Sequence, residues 1–286
     1  FDTKQFKPRT YSVLNLRNNN IENYEYFNFI KKNDLLSESE HIDNIRNLMN
    51  NAVEKRLMSD RNICCLLSGG LDSTTCAAIA NKAQYELHGI TINYGQKHNH
   101  ELEASREVAK HLKFKSHAII DIDLASFGGS SLVSDDIEIP KNRDVENVHD
   151  IPSTYVPARN TVFLSIALAK AETIKAFDIF IGVNAIDYSG YPDCRPEFIS
   201  KFEDMMNVAT KDAVQHIGKY TIHTPLIELT KAEIIKKGLD LGVDYNLTSS
   251  CYSPREKGKP CGHCDACKLR LKGFSDIGIE DPLNYN

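Results

Sequence analysis

The chain has 286 residues, of which 41% are hydrophobic, enough for one large core with a peripheral extension or for a main domain plus a small one. A formal net charge of −5 gives no general attraction to polyanions, so we expect small molecules rather than nucleic acid as partners. No apolar run has the length of a membrane span and no stretch resembles a secretory signal, so we expect no membrane partner and a reducing, cytoplasmic setting.

The first sixty residues differ in character from the rest of the chain. Three consecutive asparagines at 18–20 are typical of a turn. Apolar residues then recur at helical spacing from Ile42 to Leu57, which predicts an amphipathic helix over about 40–58. An ordinary packing helix explains this pattern without any further function.

From about residue 60 onward, short apolar runs rich in Val and Ile alternate with longer stretches of helical period. The pattern predicts strands at 62–67, 87–92, 116–121, 178–183 and 220–223, and helices at 73–83, 99–112, 160–175, 196–213 and 231–241. Because parallel strands need crossovers that cover the sheet, we predict an α/β fold with a doubly wound, five-stranded parallel sheet. Ligands should bind beyond the carboxyl ends of its strands, and 122–158 is predicted to be a long loop at that edge.

The segment Ser68-Gly-Gly-Leu-Asp-Ser73 follows the first predicted strand and opens the first predicted helix. Its glycines allow a tight turn and a close backbone approach to an anion, and a helix N-terminus favours phosphate. Asp72 is suited to hold Mg²⁺ against pyrophosphate. A Gly-Gly turn with an ordinary helix cap is the alternative. The full string resembles the signature of PP-loop ATP pyrophosphatases, and the lack of a Walker A lysine favours cleavage between the α- and β-phosphates.

The predicted ATP-binding segment extends to both sides of this string. Its residues are Leu67, Ser68, Gly69, Gly70, Leu71, Asp72, Ser73, Thr74, Thr75, Cys76 and Ala77. Ser68 and Asp72 are the catalytic residues expected within it, since a hydroxyl can donate to phosphate and a carboxylate can hold the metal.

Four of the eight cysteines lie close together near the end of the chain: Cys251, Cys261, Cys264 and Cys267. The two short spacings let neighbouring thiolates surround one ion, and tetrahedral Cys₄ coordination of Zn²⁺ leaves no open position. We therefore predict a structural zinc site. An iron–sulfur cluster and unliganded buried thiols are the alternatives.

Three parts are expected along the chain. Residues 1–60 form an N-terminal extension, 61–245 form the nucleotide-binding domain, and 246–286 form a small zinc knuckle with a C-terminal tail.

Residues from about 62 to 275 resemble the 7-cyano-7-deazaguanine synthase family of queuosine precursor biosynthesis. The matching strings are Ser68-Gly-Gly-Leu-Asp-Ser-Thr-Thr-Cys76, Tyr94-Gly-Gln-Lys-His98, Ile151-Pro-Ser-Thr-Tyr-Val-Pro-Ala-Arg-Asn160, Asp187-Tyr-Ser-Gly-Tyr-Pro-Asp-Cys-Arg195 and the four-cysteine knuckle. The resemblance implies the adenine-nucleotide alpha-hydrolase type of sheet. It also implies an ATP-dependent ligase that converts 7-carboxy-7-deazaguanine and ammonia into 7-cyano-7-deazaguanine through adenylated intermediates.

The same resemblance suggests roles for further residues. Arg159 is expected to bind a carboxylate or phosphate, and Lys231 to reach the pyrophosphate, so both join the predicted catalytic set. The expected substrate-binding residues are Tyr94, Gln96, His98, Arg159, Asn160, Asp187, Tyr188, Tyr191, Asp193 and Arg195. Several of these offer aromatic faces and carboxylates suited to a flat guanine-like base. Polar loop residues in water and a surface arginine are the alternatives.

Residues 6–16 and 44–60 depart from that family and resemble glutamine-dependent asparagine synthetase around its domain junction. The first segment is similar to the closing strand region of its glutaminase domain, and the second to the helix that leads into its synthetase domain. The resemblance implies an upstream glutaminase domain in the same chain that supplies ammonia. A lineage-specific extension is the alternative.

Other functions share parts of this pattern. An asparagine-synthetase-like amidotransferase acting on another carboxylate is the main alternative, and the zinc knuckle argues against it. A tRNA-modifying thiolase or lysidine-type enzyme would be expected to carry a basic domain, and an idle zinc-stabilised module would not need an intact phosphate loop. A homodimer is compatible with the sequence, which does not fix the oligomeric state.

Overall fold

The computed structural model describes residues 10–15, 20–25, 37, 61–143, 150–186 and 191–285. The chain divides into two compact units, Phe1–Val53 and Glu54–Asn286. In the first unit, β1 (Thr10–Asn15) pairs antiparallel with β2 (Asn20–Glu25). The helix predicted at about 40–58 lies outside the described residues, and the three-part division stays a prediction. Among the described residues, no helix is both long and apolar enough to cross a bilayer.

The second unit is built on a five-stranded, fully parallel sheet. Its strands are β3 (Asn62–Leu66), β4 (Glu86–Asn93), β5 (Ser116–Asp121), β6 (Asp178–Ile181) and β7 (Thr221–His223). They lie in the order β5-β4-β3-β6-β7. The predicted α/β fold with a five-stranded parallel sheet is confirmed, and the strand order reverses between β3 and β6.

Seven α-helices are described in this unit. They are α1 (Leu71–Lys82), α2 (His100–His111), α3 (Arg159–Thr173), α4 (Pro196–Ala209), α5 (Lys211–Val214), α6 (Lys231–Asp240) and α7 (Asp265–Asp276). The helix predicted at 196–213 is two helices, because Thr210 between them has extended backbone angles. Helix α7 was not predicted; it follows directly on the cysteine cluster.

Helices cover both faces of the sheet, as the alternation along β3 requires. Cys64 and Leu66 pack with α3 and α4 on one face, whereas Ile63 and Cys65 pack with α1, α2, α6 and α7 on the other. Because successive strand residues point to opposite faces, one short strand supplies the centre of both cores. Burial raises the pKa of the Cys64 thiol to about 12, so this cysteine is a small core residue rather than a reactive one.

The segment 122–158 contains packed as well as surface residues. Ser130 and Ser131 are fully buried, and a 3₁₀ turn spans Ala125–Phe127. The amide of Asn142 donates to the carbonyl of His263 at 2.9 Å, next to the cysteine cluster. The described part of this loop therefore connects the sheet edge to the C-terminal region.

Candidate active site

A cavity opens at the carboxyl ends of β3, β4 and β6, at the point where the strand order reverses. The turns after all three strands contribute to its wall, as do the first turns of α1, α2, α3 and α6. This is the position at which parallel α/β sheets bind ligands, since strand termini and helix N-termini converge there.

The phosphate loop, residues 68–73, joins β3 to α1 and forms part of the cavity wall. The Ser68 and Ser73 hydroxyls lie 2.9 Å apart, and the Gly70 amide donates to the Ser68 hydroxyl at 3.2 Å. Gly69 has a φ of +78°, and a Cβ there would lie 2.6 Å from the Glu101 carbonyl oxygen of α2. Only glycine combines this backbone conformation with such a close approach to α2.

Asp72 and Lys231 form an ion pair at the edge of the cavity. The Lys231 ammonium donates to both carboxylate oxygens of Asp72, at 2.6 and 2.8 Å, and the Lys231 side chain is only 8% exposed. Lys231 is held at the first turn of α6, where Thr230 and Glu233 form a reciprocal capping box. Two residues far apart in sequence are thus placed beside the phosphate loop.

Gly182 fixes the spacing between the phosphate loop and β6. A Cβ at this position would lie 2.8 Å from both the amide nitrogen and the Cα of Ser73. These neighbours are backbone atoms, so they cannot move aside by rotating a side chain. The first turn of α1 therefore rests directly on the end of β6.

The opposite wall combines an arginine with aromatic side chains. Arg159 donates to the Tyr94 hydroxyl at 3.4 Å, and its guanidinium lies 5.7 Å from the centre of the same ring. Burial raises the pKa of Tyr94 to about 12, so its hydroxyl stays protonated at neutral pH. Among the described residues, Arg159 has no carboxylate partner within 4.0 Å, and its charge is available to an anionic ligand. Tyr191 and Asn160 line the same wall.

Asp193 supports this wall from behind. Its carboxylate accepts a hydrogen bond from the backbone amide of Asn160 at 2.9 Å, and the side-chain amide of Asn160 donates to the Asp193 carbonyl and to Cys194 Sγ. Burial raises the pKa of the Asp193 carboxyl group. The loop at 191–194 thereby fixes the first turn of α3, which carries Arg159.

The structure brings most of the predicted site residues into one cavity. Those that line it are Leu67, Ser68, Gly70, Leu71, Asp72, Ser73, Tyr94, Gln96, Arg159, Asn160, Tyr191 and Lys231. Gly69 lies behind the loop against α2, and Arg195 is exposed at the start of α4. His98 is partly buried next to α2 but is not among the lining residues. Asp187 and Tyr188 lie outside the described residues.

The last four residues of the predicted ATP-binding segment are buried within α1. Thr74 and Thr75 donate to backbone carbonyls one turn earlier, at 2.8 and 3.0 Å, and Cys76 and Ala77 are fully buried. Their side chains support the helix that carries the phosphate loop rather than lining the cavity.

Sequence reasoning missed two contributions to the site. Glu101, in the first turn of α2, lines the cavity, and burial raises the pKa of its carboxyl group to about 7. Ser249 and Ser250 touch the phosphate loop: the Ser249 amide donates to the Gly69 carbonyl at 2.9 Å, and the Leu71 amide donates to the Ser250 hydroxyl at 3.3 Å. The only sequence feature that could have indicated this contact is the position of Ser249 and Ser250 directly before Cys251, the first residue of the cysteine cluster.

The four C-terminal cysteines converge on one point. Their Sγ atoms all lie within 4.8 Å of one another, and all four residues are buried. Backbone amides of Cys261 and Cys264 donate to Cys251 Sγ and Cys261 Sγ at 3.2 and 3.3 Å, as expected for sulfurs that carry negative charge. Thiolates around a tetrahedral Zn²⁺, with Zn–S bonds of about 2.3 Å, would lie about 3.8 Å apart. The cluster can therefore hold a metal ion.

A family model described as queuosine biosynthesis protein QueC matches residues 62–278. The chain belongs to this family. A 7-cyano-7-deazaguanine synthase of Syntrophotalea carbinolica is 57% identical over 220 residues, covering 77% of this chain and 94% of that protein. The enzyme of the same name from Geotalea uraniireducens is 58% identical over 221 residues, covering 77% of this chain and 95% of that protein. The family predicted from the sequence is confirmed.

Among solved structures, NMN synthetase from Francisella tularensis aligns over 86% of this chain and 88% of its own chain, with a TM-score of 0.42 and 15% sequence identity. The resemblance of 6–16 and 44–60 to asparagine synthetase stays a prediction, because the family match begins at residue 62.

Proposed function

We propose that this chain is an ATP-dependent ligase that converts 7-carboxy-7-deazaguanine and ammonia into 7-cyano-7-deazaguanine. One observation carries the proposal: in a member of the QueC family, a single cavity joins a phosphate loop to a wall that carries Arg159 and aromatic rings. The comparisons give no support to the alternative of an asparagine-synthetase-like amidotransferase.

ATP binds with its phosphates on the loop formed by Ser68, Gly69 and Gly70. The backbone N–H groups and dipole at the start of α1 attract the phosphate charge. Asp72 holds Mg²⁺, since a carboxylate retains acceptor capacity beyond the two hydrogen bonds that it receives from Lys231. The Lys231 ammonium then neutralises the departing pyrophosphate.

The deazaguanine substrate lies against the opposite wall. The Arg159 guanidinium binds its carboxylate or the α-phosphate joined to it, and Tyr94 holds the arginine in place. Tyr191 and Asn160 contact the flat heterocycle. His98, Asp193 and Arg195 act at most indirectly in this arrangement, and Asp187 and Tyr188 remain part of the proposed substrate site.

This arrangement suits two successive activations in one cavity. A carboxylate resists attack by ammonia until ATP converts it to an acyl adenylate, which releases pyrophosphate. Ammonia then displaces AMP to give an amide. Adenylation of the amide oxygen by a second ATP permits loss of AMP and a proton, which leaves the nitrile.

The cysteine cluster binds zinc in this proposal. Four sulfur donors at tetrahedral spacing suit Zn²⁺ and leave no position for water or substrate, so the metal would hold the fold rather than take part in the reaction. It would fix the turn that leads from Ser250 into Cys251.

We also propose that a glutaminase domain in the same protein supplies the ammonia, because 6–16 and 44–60 resemble asparagine synthetase around its domain junction. Ammonia passed within a protein escapes dilution and protonation in water. The test is an assay of the full-length gene product with glutamine as the sole nitrogen donor. Use of free ammonium but never glutamine would overturn this part of the proposal.

The main test of function is incubation with ATP, Mg²⁺, 7-carboxy-7-deazaguanine and ammonium, with AMP and the nitrile followed by mass spectrometry. Arg159→Ala should reduce nitrile formation at least about 100-fold, whereas Arg106→Ala, at an exposed position on α2, should not change it. Failure of the unaltered protein to form AMP from this substrate would overturn the proposed function.

A further inference from the structure

The carboxyl group of Glu101 lines the cavity but takes no part in the steps of the proposed reaction described above. It lies in the first turn of α2, directly behind Gly69 of the phosphate loop. Within the described part of the chain, no hydrogen bond or ion pair reaches its carboxylate, although Arg159 is close enough to act on it electrostatically. Glu101 is partly buried, and a carboxylate without a protein partner at the wall of a cavity can bind a cationic ligand.

The proposed reaction requires a group of this kind. At neutral pH most ammonia in water is protonated to ammonium. The nitrogen of ammonium has no lone pair with which to attack the acyl adenylate. A carboxylate attracts this cation and can accept its proton. Asp72 already pairs with Lys231, and Asp193 accepts the Asn160 amide, so among the residues that the structure describes at this cavity Glu101 is the carboxylate left for the task.

We propose that Glu101 captures the ammonium ion in the cavity and accepts its proton before carbon–nitrogen bond formation. This inference rests on the proposed function. The ammonia nitrogen then forms a bond to the acyl carbon, and the bond from that carbon to the AMP oxygen breaks with its electron pair leaving on AMP. A second proton leaves the nitrogen for solvent as the amide forms, so the adenylate and ammonium yield amide, AMP and two protons.

The surroundings of Glu101 fit a base that works near neutral pH. Burial raises the pKa of its carboxyl group to about 7, and the charge of Arg159 opposes part of that shift. Among the described residues, the ionisable groups that line the same cavity include Tyr94, Asp72 and Lys231, together with Tyr191, Cys194, Tyr252 and Arg270. His98 and His100 lie next to Glu101 at the start of α2. A carboxyl group with a pKa close to the working pH is both ionised often enough and basic enough to accept a proton.

The test compares Glu101→Gln with Glu103→Gln, a control on the exposed face of the same helix whose carboxylate lies 3.6 Å from His100. Adenylation is followed separately as exchange of labelled pyrophosphate into ATP in the presence of 7-carboxy-7-deazaguanine. Glu101→Gln should keep this exchange within about threefold of the unaltered protein and lose about 100-fold in amide formation from ammonium. Glu103→Gln should change neither rate.

Two further measurements separate a base from a structural group. In the unaltered protein, kcat/KM for ammonium should rise with pH and level off above about 7 as Glu101 ionises; in Glu101→Gln it should keep rising in proportion to free ammonia. Hydroxylamine, a weaker base that is largely unprotonated at neutral pH, should restore acyl transfer in Glu101→Gln.

Three outcomes would overturn the inference: equal loss of pyrophosphate exchange and amide formation, an unchanged pH profile, or no rescue by hydroxylamine. Absence of any exchange in the unaltered protein would instead overturn the proposed function.

Discussion

The ammonium group of Lys231, at the start of α6, donates to both carboxylate oxygens of Asp72, in the first turn of α1, at 2.6 and 2.8 Å. The pair lies at the edge of the cavity, with side-chain exposures of 8% for Lys231 and 22% for Asp72. Removing either partner would leave the other charge poorly solvated. The ion pair therefore links the stability of the site to its chemistry.

Asp72→Asn is expected to slow ATP cleavage at least about 100-fold, because the Mg²⁺ that we propose at this site would lose its carboxylate ligand. It should also lower the free energy of unfolding by about 1–3 kcal/mol, since Lys231 keeps its charge without a partner. The combined variant Asp72→Asn with Lys231→Met should regain stability but not activity. Denaturant unfolding and AMP release measure the two effects.

The control for this pair is Asp276→Asn, which removes the exposed partner of Lys272 on α7. It should change stability by less than about 0.5 kcal/mol and leave activity intact. Additive stability losses in the Asp72 and Lys231 variants would show that the ion pair contributes no coupling.

Ser68→Ala tests the phosphate loop without a change of charge. Ser68 is exposed, and its hydroxyl forms hydrogen bonds with the Ser73 hydroxyl and the Gly70 amide. Loss of this hydroxyl should slow ATP cleavage at least about tenfold. The free energy of unfolding should stay within about 0.5 kcal/mol, because no core contact is lost. Ser200→Ala, on the exposed side of α4, is the matched control. Normal AMP release by Ser68→Ala would mean that the loop does not bind the phosphates as proposed.

Gly182→Ala should displace the first turn of α1. Its added methyl group would meet backbone atoms of Ser73 at 2.8 Å, and overpacking of this kind costs about 1–3 kcal/mol. We expect KM for ATP to rise at least about tenfold. Gly89→Ala, in β4, is the control, because its methyl group would meet the side chains of Phe114 and His117 rather than the backbone of the phosphate loop. If the two variants had the same KM for ATP, the close contact between β6 and the phosphate loop would not be needed for ATP binding.

The strands and most helices could be predicted because hydrophobic periodicity is a local property of the sequence. The break at Thr210 could not, since hydrophobic periodicity does not reveal a single residue with extended backbone angles between two helices. Helix α7 was missed although Ala266, Leu269 and Phe274 carry an apolar spacing, because the neighbouring cysteines favoured an irregular knuckle.

The phosphate loop was predictable as one continuous string, whereas the contacts around it were not. Asp72 and Lys231 are 159 positions apart, and only the parallel topology brings their helices together. Glu101 looked like an ordinary acidic residue in the first turn of a helix, a position where exposed glutamates are common. Its place at the cavity wall depends on the packing of Gly69 against the backbone of α2, which no local pattern shows.

The cysteine cluster is linked to the phosphate loop by the two residues that precede it. Ser249 and Ser250 immediately precede Cys251. The Ser249 amide donates a hydrogen bond to the Gly69 carbonyl, and the Ser250 hydroxyl accepts one from the Leu71 amide. Metal removal should therefore do more than destabilise the fold. Cys264→Ala is expected to lose the metal and, with a destabilisation of about 3 kcal/mol, to melt about 6–12 °C lower. KM for ATP should also rise about tenfold, because the two serines would no longer be held against the loop.

Metal content by elemental mass spectrometry, thermal melting and ATP kinetics would be measured together. Cys65→Ala, in the core of β3, is the control: it should lower stability by creating a cavity while keeping the full metal content and the original KM for ATP. A metal-free protein that melted at the same temperature as the metal-bound form would exclude the structural role. A lower melting temperature with an unchanged KM for ATP would exclude the coupling, because Ser249 and Ser250 would then hold the loop without help from the metal.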